Sequence, residues 1–167
     1  MAKKTLKSRT LKVQKGEIIQ YKGDTNSKIY LIKSGLLRSY SLDSKGKEHI
    51  FMFAIEGQSM GDATLPNEPC QLYIDALEDS ELVVREKNID KDAKPGTFKM
   101  LVECMVHLQE RVIMLMSVSA IERYTHFEKN HPVLLQRLPQ RMIAAYLGVT
   151  PEALSKIKGD RAKNKEA

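Results

Sequence analysis

The sequence predicts an α+β chain: a many-stranded sandwich or jelly roll, then one long helix, then a small all-helical unit. Three observations carry this. Between residues 10 and 90, short apolar or alternating runs are divided about every ten residues by turn punctuation. After Pro95-Gly96 the apolar period becomes helical, with no Gly or Pro from Phe98 to about Lys129. Beyond His131-Pro132, short helical segments are separated by Pro139 and by Gly148–Pro151.

The strand candidates, in order, are "EIIQY", "KIYLIKSG", "LLRSYSL", "EHIFMFAI", "LYIDAL" and "ELVVRE". Gly16, Gly23-Asp24, Ser34-Gly35, Ser44-Lys45-Gly46, Gly57 and Pro66-Asn67 mark the turns. So many short strands form a closed sandwich or roll because full pairing hides their edges.

In the helical stretch, Leu101, Met105, Leu108, Val112 and Leu115 follow the alternating four-three spacing of a heptad seam. Val102, Val106, Ile113, Met116 and Ala120 form a second stripe beside it. A face this wide exceeds what one buried side requires, so the helix is expected to pair with its copy in a homodimer. The alternative is a long helix lying wholly on its own domain.

The last region begins where Pro132 ends the long helix. "VLLQRL" is a short helix, and "PQRMIAAYLG" begins another with Pro139 in its first turn. Thr150 is the expected N-cap of the last helix, Pro151 its first residue, and Glu152 a carboxylate favoured by the dipole. Ile143, Ala144, Leu147, Gly148, Val149, Leu154 and Ile157 have the spacing of a helix-turn-helix, with small Ala144 at the crossing and Gly148 in the turn. This leaves Thr150, Glu152, Ser155, Lys156 and Lys158 on the outer face of the second helix. A generic αα-hairpin shares the apolar spacing; the basic charge and the seam favour a DNA reader.

Composition narrows the function classes. The chain of 167 residues is 42% hydrophobic and 29% charged, as in ordinary globular proteins. It has no run of membrane-span length and no signal peptide, which points to the cytoplasm. Cys70 and Cys104 match no metal spacing and are expected as free thiols. The net charge of +6 is unevenly spread. Residues 1–47 carry twelve Lys/Arg against three acids, residues 48–95 four against eleven, and residues 131–167 seven against three. A basic end joined to an acidic middle suggests that one region faces a polyanion. His49, His107, His126 and His131 lack ligand spacing, and two cysteines are too few for an iron–sulfur cluster. No nucleophile–base arrangement is visible. No enzyme, metal site or cofactor is expected.

From about Leu11 to Lys158 the sequence resembles the cyclic-AMP receptor and fumarate-nitrate regulator (Crp/Fnr) family of bacterial transcription factors. The resemblance rests on "KGE" at Lys15–Glu17, Gly23-Asp24, "IYLIKSGLLRSY" with Tyr30, Gly35 and Arg38, "EGQSMGD" at Glu56–Asp62, "ALEDSEL" at Ala76–Leu82 and "SAIERY" at Ser119–Tyr124. It implies a cyclic-nucleotide-binding-type β-roll over 1–94, a dimerisation helix over 95–130 and a DNA-binding helix-turn-helix over 131–167. The phrasing of residues 134–157 is similar to the Bacteroidetes branch. Members usually add a β-hairpin wing after the recognition helix; here only "GDRAKNKEA" follows, which implies a wingless end or a basic arm touching phosphate. The front is also shorter than the helical segment members usually carry.

The resemblance implies DNA contacts at Arg141, Thr150, Pro151, Glu152, Ser155, Lys156, Lys158, Arg161 and Lys163. Relatives commonly carry an arginine where Pro151 stands, so one contact is missing. In the family a Gly-Glu pair holds the ribose of a cyclic nucleotide and an Arg-Ser pair neutralises its phosphate. These map to Gly61-Asp62 and Cys70-Gln71, and the arginine is absent. Glu48 to Val84 contains no Lys or Arg and eight acids, leaving only Arg38 or Arg111 to reach in from elsewhere. The pocket is therefore expected not to bind cyclic AMP, with Asp62 as a turn or capping residue. The implied partners are a pseudo-palindromic DNA site, a second copy of the chain, RNA polymerase and an unidentified small-molecule effector. Two rival readings remain: a small-molecule sensor or protein-interaction module whose helix-turn-helix is structural only, and a cupin-like metalloenzyme.

Overall fold

A computed structural model describes residues 9–87, 95–117 and 119–165 of the chain. They fall into two compact units, Met1–Lys94 and Pro95–Ala167.

In the first unit the described residues form eight strands: β1 (Arg9–Val13), β2 (Ile18–Gln20), β3 (Lys28–Ser34), β4 (Leu37–Leu42), β5 (Glu48–Ala54), β6 (Ser59–Gly61), β7 (Tyr73–Ala76) and β8 (Ser80–Glu86). They make two four-stranded antiparallel sheets, ordered β1-β8-β3-β6 and β2-β7-β4-β5. The pairs β1–β8, β2–β7, β3–β6 and β4–β5 are nested, so the unit is one long hairpin rolled up from its β4–β5 tip, a jelly roll. Six strands coincide with the apolar runs. The runs miss β1 and β6; β6 is only "SMG", too short to show a period.

Alternation along each strand sends one set of side chains between the sheets. Val13, Tyr30, Ile32, Met60, Leu82 and Val84 come from one sheet, and Leu37, Ala54, Ile74 and Ala76 from the other. The turns are built as their residues require. Gly35 has φ +100°, and a Cβ there would lie 2.1 Å from Ser80 Oγ, so both conformation and space demand glycine. Asn67 alone among the described non-glycine residues takes a positive φ, 68°.

Arg38 lies on the other face of its sheet, opposite Asp75 and Phe53 in register. Its buried guanidinium makes two bonds to Asp75, Nε–Oδ1 at 3.0 Å and Nη2–Oδ2 at 2.6 Å. It also pairs with Glu48 and lies 4.3 Å from the Tyr40 ring centroid. Tyr40 in turn stacks on Tyr73, centroids 5.3 Å apart. Burial alone would lower the Arg38 pKa, but the hydrogen bonds to Asp75 and Glu48 raise it above its ordinary value.

The second unit holds α1 (Pro95–Ser117), α2 (Ala120–Asn130), α3 (Pro132–Arg137), α4 (Gln140–Leu147) and α5 (Pro151–Lys165). The stretch expected as one long helix is therefore two. Ser119 is the N-cap of α2, and it forms a reciprocal capping box with Glu122: the Glu122 carboxylate takes the Ser119 backbone N–H at 2.8 Å. Such a box satisfies the first N–H groups of a new helix, and so it stabilises a break that the apolar period alone would have carried through. Pro139, expected in the first turn of α4, is its N-cap. The segment expected as a polar tail continues α5 to Lys165. Among the described residues no helix is long and apolar enough to cross a membrane.

Candidate functional site

Two clusters of sequence-singled residues form local arrangements, one in each unit.

In the first unit, Gly61 ends β6 where it crosses β3; a Cβ there would lie 2.8 Å from the Lys28 carbonyl, so the close pairing needs glycine. The buried Asp62 carboxylate accepts from the backbone N–H groups of Gln71 at 2.7 Å, Leu72 at 2.8 Å and Thr64 at 3.2 Å. One side chain thus ties both ends of the 62–72 loop. Lys87 closes the same loop from β8's end, donating to the carbonyls of Asp62 and Thr64. Burial pushes the Lys87 pKa down, partly offset by Asp62.

Cys70 is buried, and its backbone exchanges bonds with the Gly23-Asp24 turn: N–H to Asp24 O at 2.8 Å, and O from Gly23 N–H at 2.9 Å. Burial pushes its thiol pKa up, which keeps it protonated and unreactive. Gln71 is exposed, its amide turned to the Pro69 carbonyl. Nearby, Tyr30 donates to the Ile19 carbonyl, and burial pushes its pKa up to about 12. The two arginines named as replacements are engaged elsewhere: Arg38 with Asp75 and Glu48, and Arg111 with Tyr146 of α4. The sequence missed Lys87 as the loop's cation, since it lies 25 positions from Asp62 and only the folded pairing brings it there.

In the second unit, α4 and α5 meet over Ile143, Ala144, Leu147 and Leu154, all buried. Gly148 is left-handed at φ 66° and receives the end of α4 as a C-cap. The Thr150 hydroxyl accepts from the Ala153 N–H at 3.2 Å and caps α5. Pro151, Glu152, Ser155 and Lys156 are exposed on the first turns of α5, and Arg141 is exposed on α4. Lys158 is half-buried. Arg161 pairs with α2: its Nη1 lies 2.8 Å from Glu128 Oε2, and its guanidinium sits 5.6 Å from the Tyr124 ring centroid. That pairing fastens the α5 extension to α2. The Lys163 side chain lies outside the described residues.

Two further arginines work inside this unit. The Arg111 guanidinium lies 3.6 Å from the Tyr146 ring centroid, and its Nη2 donates to the Tyr146 carbonyl at 3.0 Å. Arg123 Nη1 donates to the Leu115 carbonyl at 3.4 Å. Basic residues counted toward a polyanion surface are thus partly spent on packing. On α1 the seam residues Leu101, Met105, Val112 and Leu115 are exposed and Leu108 half-buried; in the neighbouring stripe Val102, Val106, Ile113 and Met116 are exposed, Met116 to 81%. Among the described residues no group of His, Cys, Asp and Glu is placed to hold a metal ion.

Residues 10–89 match the cyclic nucleotide-binding domain family. Over 88% of its length the chain is 29% identical to Electron transport regulator A of Shewanella oneidensis, covering 66% of that protein. It is equally similar, 29% over 88%, to the regulatory protein HlyX of Actinobacillus pleuropneumoniae, covering 69% of it. The chain therefore spans about two thirds of the length of these curated relatives. Its fold is similar to that of FixK2 from Bradyrhizobium japonicum, with TM-score 0.79 and 21% identity over 96% of this chain and 87% of the other.

Proposed function

We propose that the chain, whose residues 10–89 match the cyclic nucleotide-binding domain family and whose relatives include regulators, is a homodimeric, sequence-specific DNA-binding regulator of the Crp/Fnr type. The observation that carries the proposal is the α4–α5 pair: a closed apolar core beneath a helix whose first turns present Glu152, Ser155 and Lys156 outward. The exposed α1 stripe supports pairing of two copies, because water-exposed apolar surface of this extent marks an interface. Pairing places two recognition helices about one DNA turn apart on a pseudo-palindrome. Such a role belongs to the cytoplasm, and RNA polymerase is the third partner on the family resemblance alone.

Glu152 and Lys156 lie four residues apart on one helix face. A glutamate accepts from a cytosine amino group, and a lysine donates to the acceptors of guanine. Glu152→Ala and Lys156→Ala are each expected to relax preference at particular base pairs by about 1–3 kcal/mol. Selected-site sequencing checks this. Unchanged motifs for both variants, or no salt-dependent gel shift at all, would favour a helix-turn-helix that is structural only.

The β-roll is proposed not to take cyclic AMP. A buried phosphodiester needs a charge-assisted partner. At the mapped positions stand buried Cys70 and exposed Gln71, while the Asp62 carboxylate is occupied by three backbone N–H groups. Calorimetric titration with cyclic AMP is expected to give no binding heat; a dissociation constant of about 10 μM or tighter would overturn this.

A further inference from the structure

Resting on the DNA-reading proposal, we propose that Arg111 is a positioning residue: it fixes the helix-turn-helix on the seam helix and thereby sets the half-site spacing the dimer reads. Arg111 stands on α1 immediately before the seam residue Val112 and one turn before Leu115. Its guanidinium covers the ring of Tyr146 and bonds that residue's carbonyl. Tyr146 is the last residue but one of α4, so this carbonyl is among those that the helix cannot satisfy itself. A cation at that end also complements the helix dipole. A planar guanidinium that stacks and donates together fixes direction as well as distance.

A second contact stands beside it. Leu115 Cδ2 lies beside the Gly148 turn: a Cβ added at Gly148 would meet it at 3.5 Å, an ordinary van der Waals distance. The seam helix therefore holds the DNA-reading pair at two points one helical turn apart, Arg111 at Tyr146 and Leu115 at Gly148. Two points resist rotation where one would permit it. In a dimer the fastener occurs twice, so any swing it allows is doubled across the two half-sites. Burial lowers the Arg111 pKa from its ordinary value, with Tyr146 raising it in part, as befits a group enclosed by the unit rather than offered to solvent.

The test uses the full chain and a set of operators: the selected site, and the same site with one base pair added or removed at its centre. The readout is the ratio of affinities for correct and altered spacing, which loss of stability in an otherwise unchanged dimer leaves alone. Arg111→Met is expected to reduce that ratio by about tenfold, with Arg111→Lys intermediate because it keeps charge without stacking. The half-site motif and the salt slope are expected to stay as in the unmodified protein. Tyr146→Leu removes the ring but keeps the carbonyl and gives an independent reading should Arg111→Met fail to fold. An unchanged ratio in folded, dimeric Arg111→Met or Tyr146→Leu overturns the proposal. So does a salt slope lowered by about one unit in Arg111→Met, which would make Arg111 a phosphate contact. If the unmodified protein binds no operator of any spacing, the DNA-reading proposal falls first and takes this one with it.

Discussion

Arg38→Leu is expected to destabilise the strand unit by about 3–5 kcal/mol, the largest loss from any single polar substitution in it. Arg38 is held by Asp75 through two bonds and by Glu48, all on one face of the second sheet. Asp75 is itself buried, so removing the guanidinium leaves a carboxylate with neither cation nor water. Glu48 is half exposed on the edge strand β5 and loses much less. The asymmetry gives a second arm to the measurement. Arg38→Leu combined with Asp75→Leu removes both charges and is expected to recover most of the loss, because a buried pair replaced whole by apolar groups is often neutral. Urea unfolding followed by circular dichroism reads both variants. A loss under about 1 kcal/mol for Arg38→Leu would show the cluster to be solvated and incidental.

Leu108→Asp is expected to leave the protein monomeric at micromolar concentration and to abolish tight operator binding. Leu108 is central in the seam, with Met105 and Leu101 before it and Val112 and Leu115 after it. A carboxylate there is buried twice in a two-fold dimer, without a partner, at about 3–5 kcal/mol for each uncompensated charge. That corresponds to at least a hundredfold loss in dimerisation. Light scattering decides the matter. A monomer for the unmodified protein under the same conditions would sink the dimer proposal, and with it the expected operator symmetry.

How much of this was legible differs by level. The jelly roll could be read because its turns are chemically obligatory: Gly16, Gly23, Gly35, Gly46, Gly57 and Asn67 all take positive φ where punctuation was seen. The helix-turn-helix could be read because Ala144, Gly148 and Leu154 are local to one another in sequence. The helix start at Ser119 is present as an S-x-x-E signature, yet the heptad period speaks for continuity, and period says nothing about where backbone N–H groups are satisfied. Charge was the least legible quantity. Arg111, Arg123 and Arg161 count as basic surface in any composition, but each is directed at a carbonyl, a ring or a carboxylate of its own unit. Lys87 reaches the 62–72 loop only once β8 is in place. Such destinations depend on tertiary contacts far along the chain, which no local window contains.

The nested pairing of the strands has a topological consequence. Arg9 lies opposite Val84 in the ladder, so the polypeptide enters and leaves the roll side by side at one edge. The unit is in effect a closed excursion of the chain, returning to where it set out. Lengthening its far end, the Asp43–Lys47 turn between β4 and β5, leaves that entrance unmoved. The cost of a longer tip grows only with the logarithm of its length, about 0.6 kcal/mol per doubling. The roll can thus acquire new surface at its tip without moving the edge at which the chain enters and leaves it.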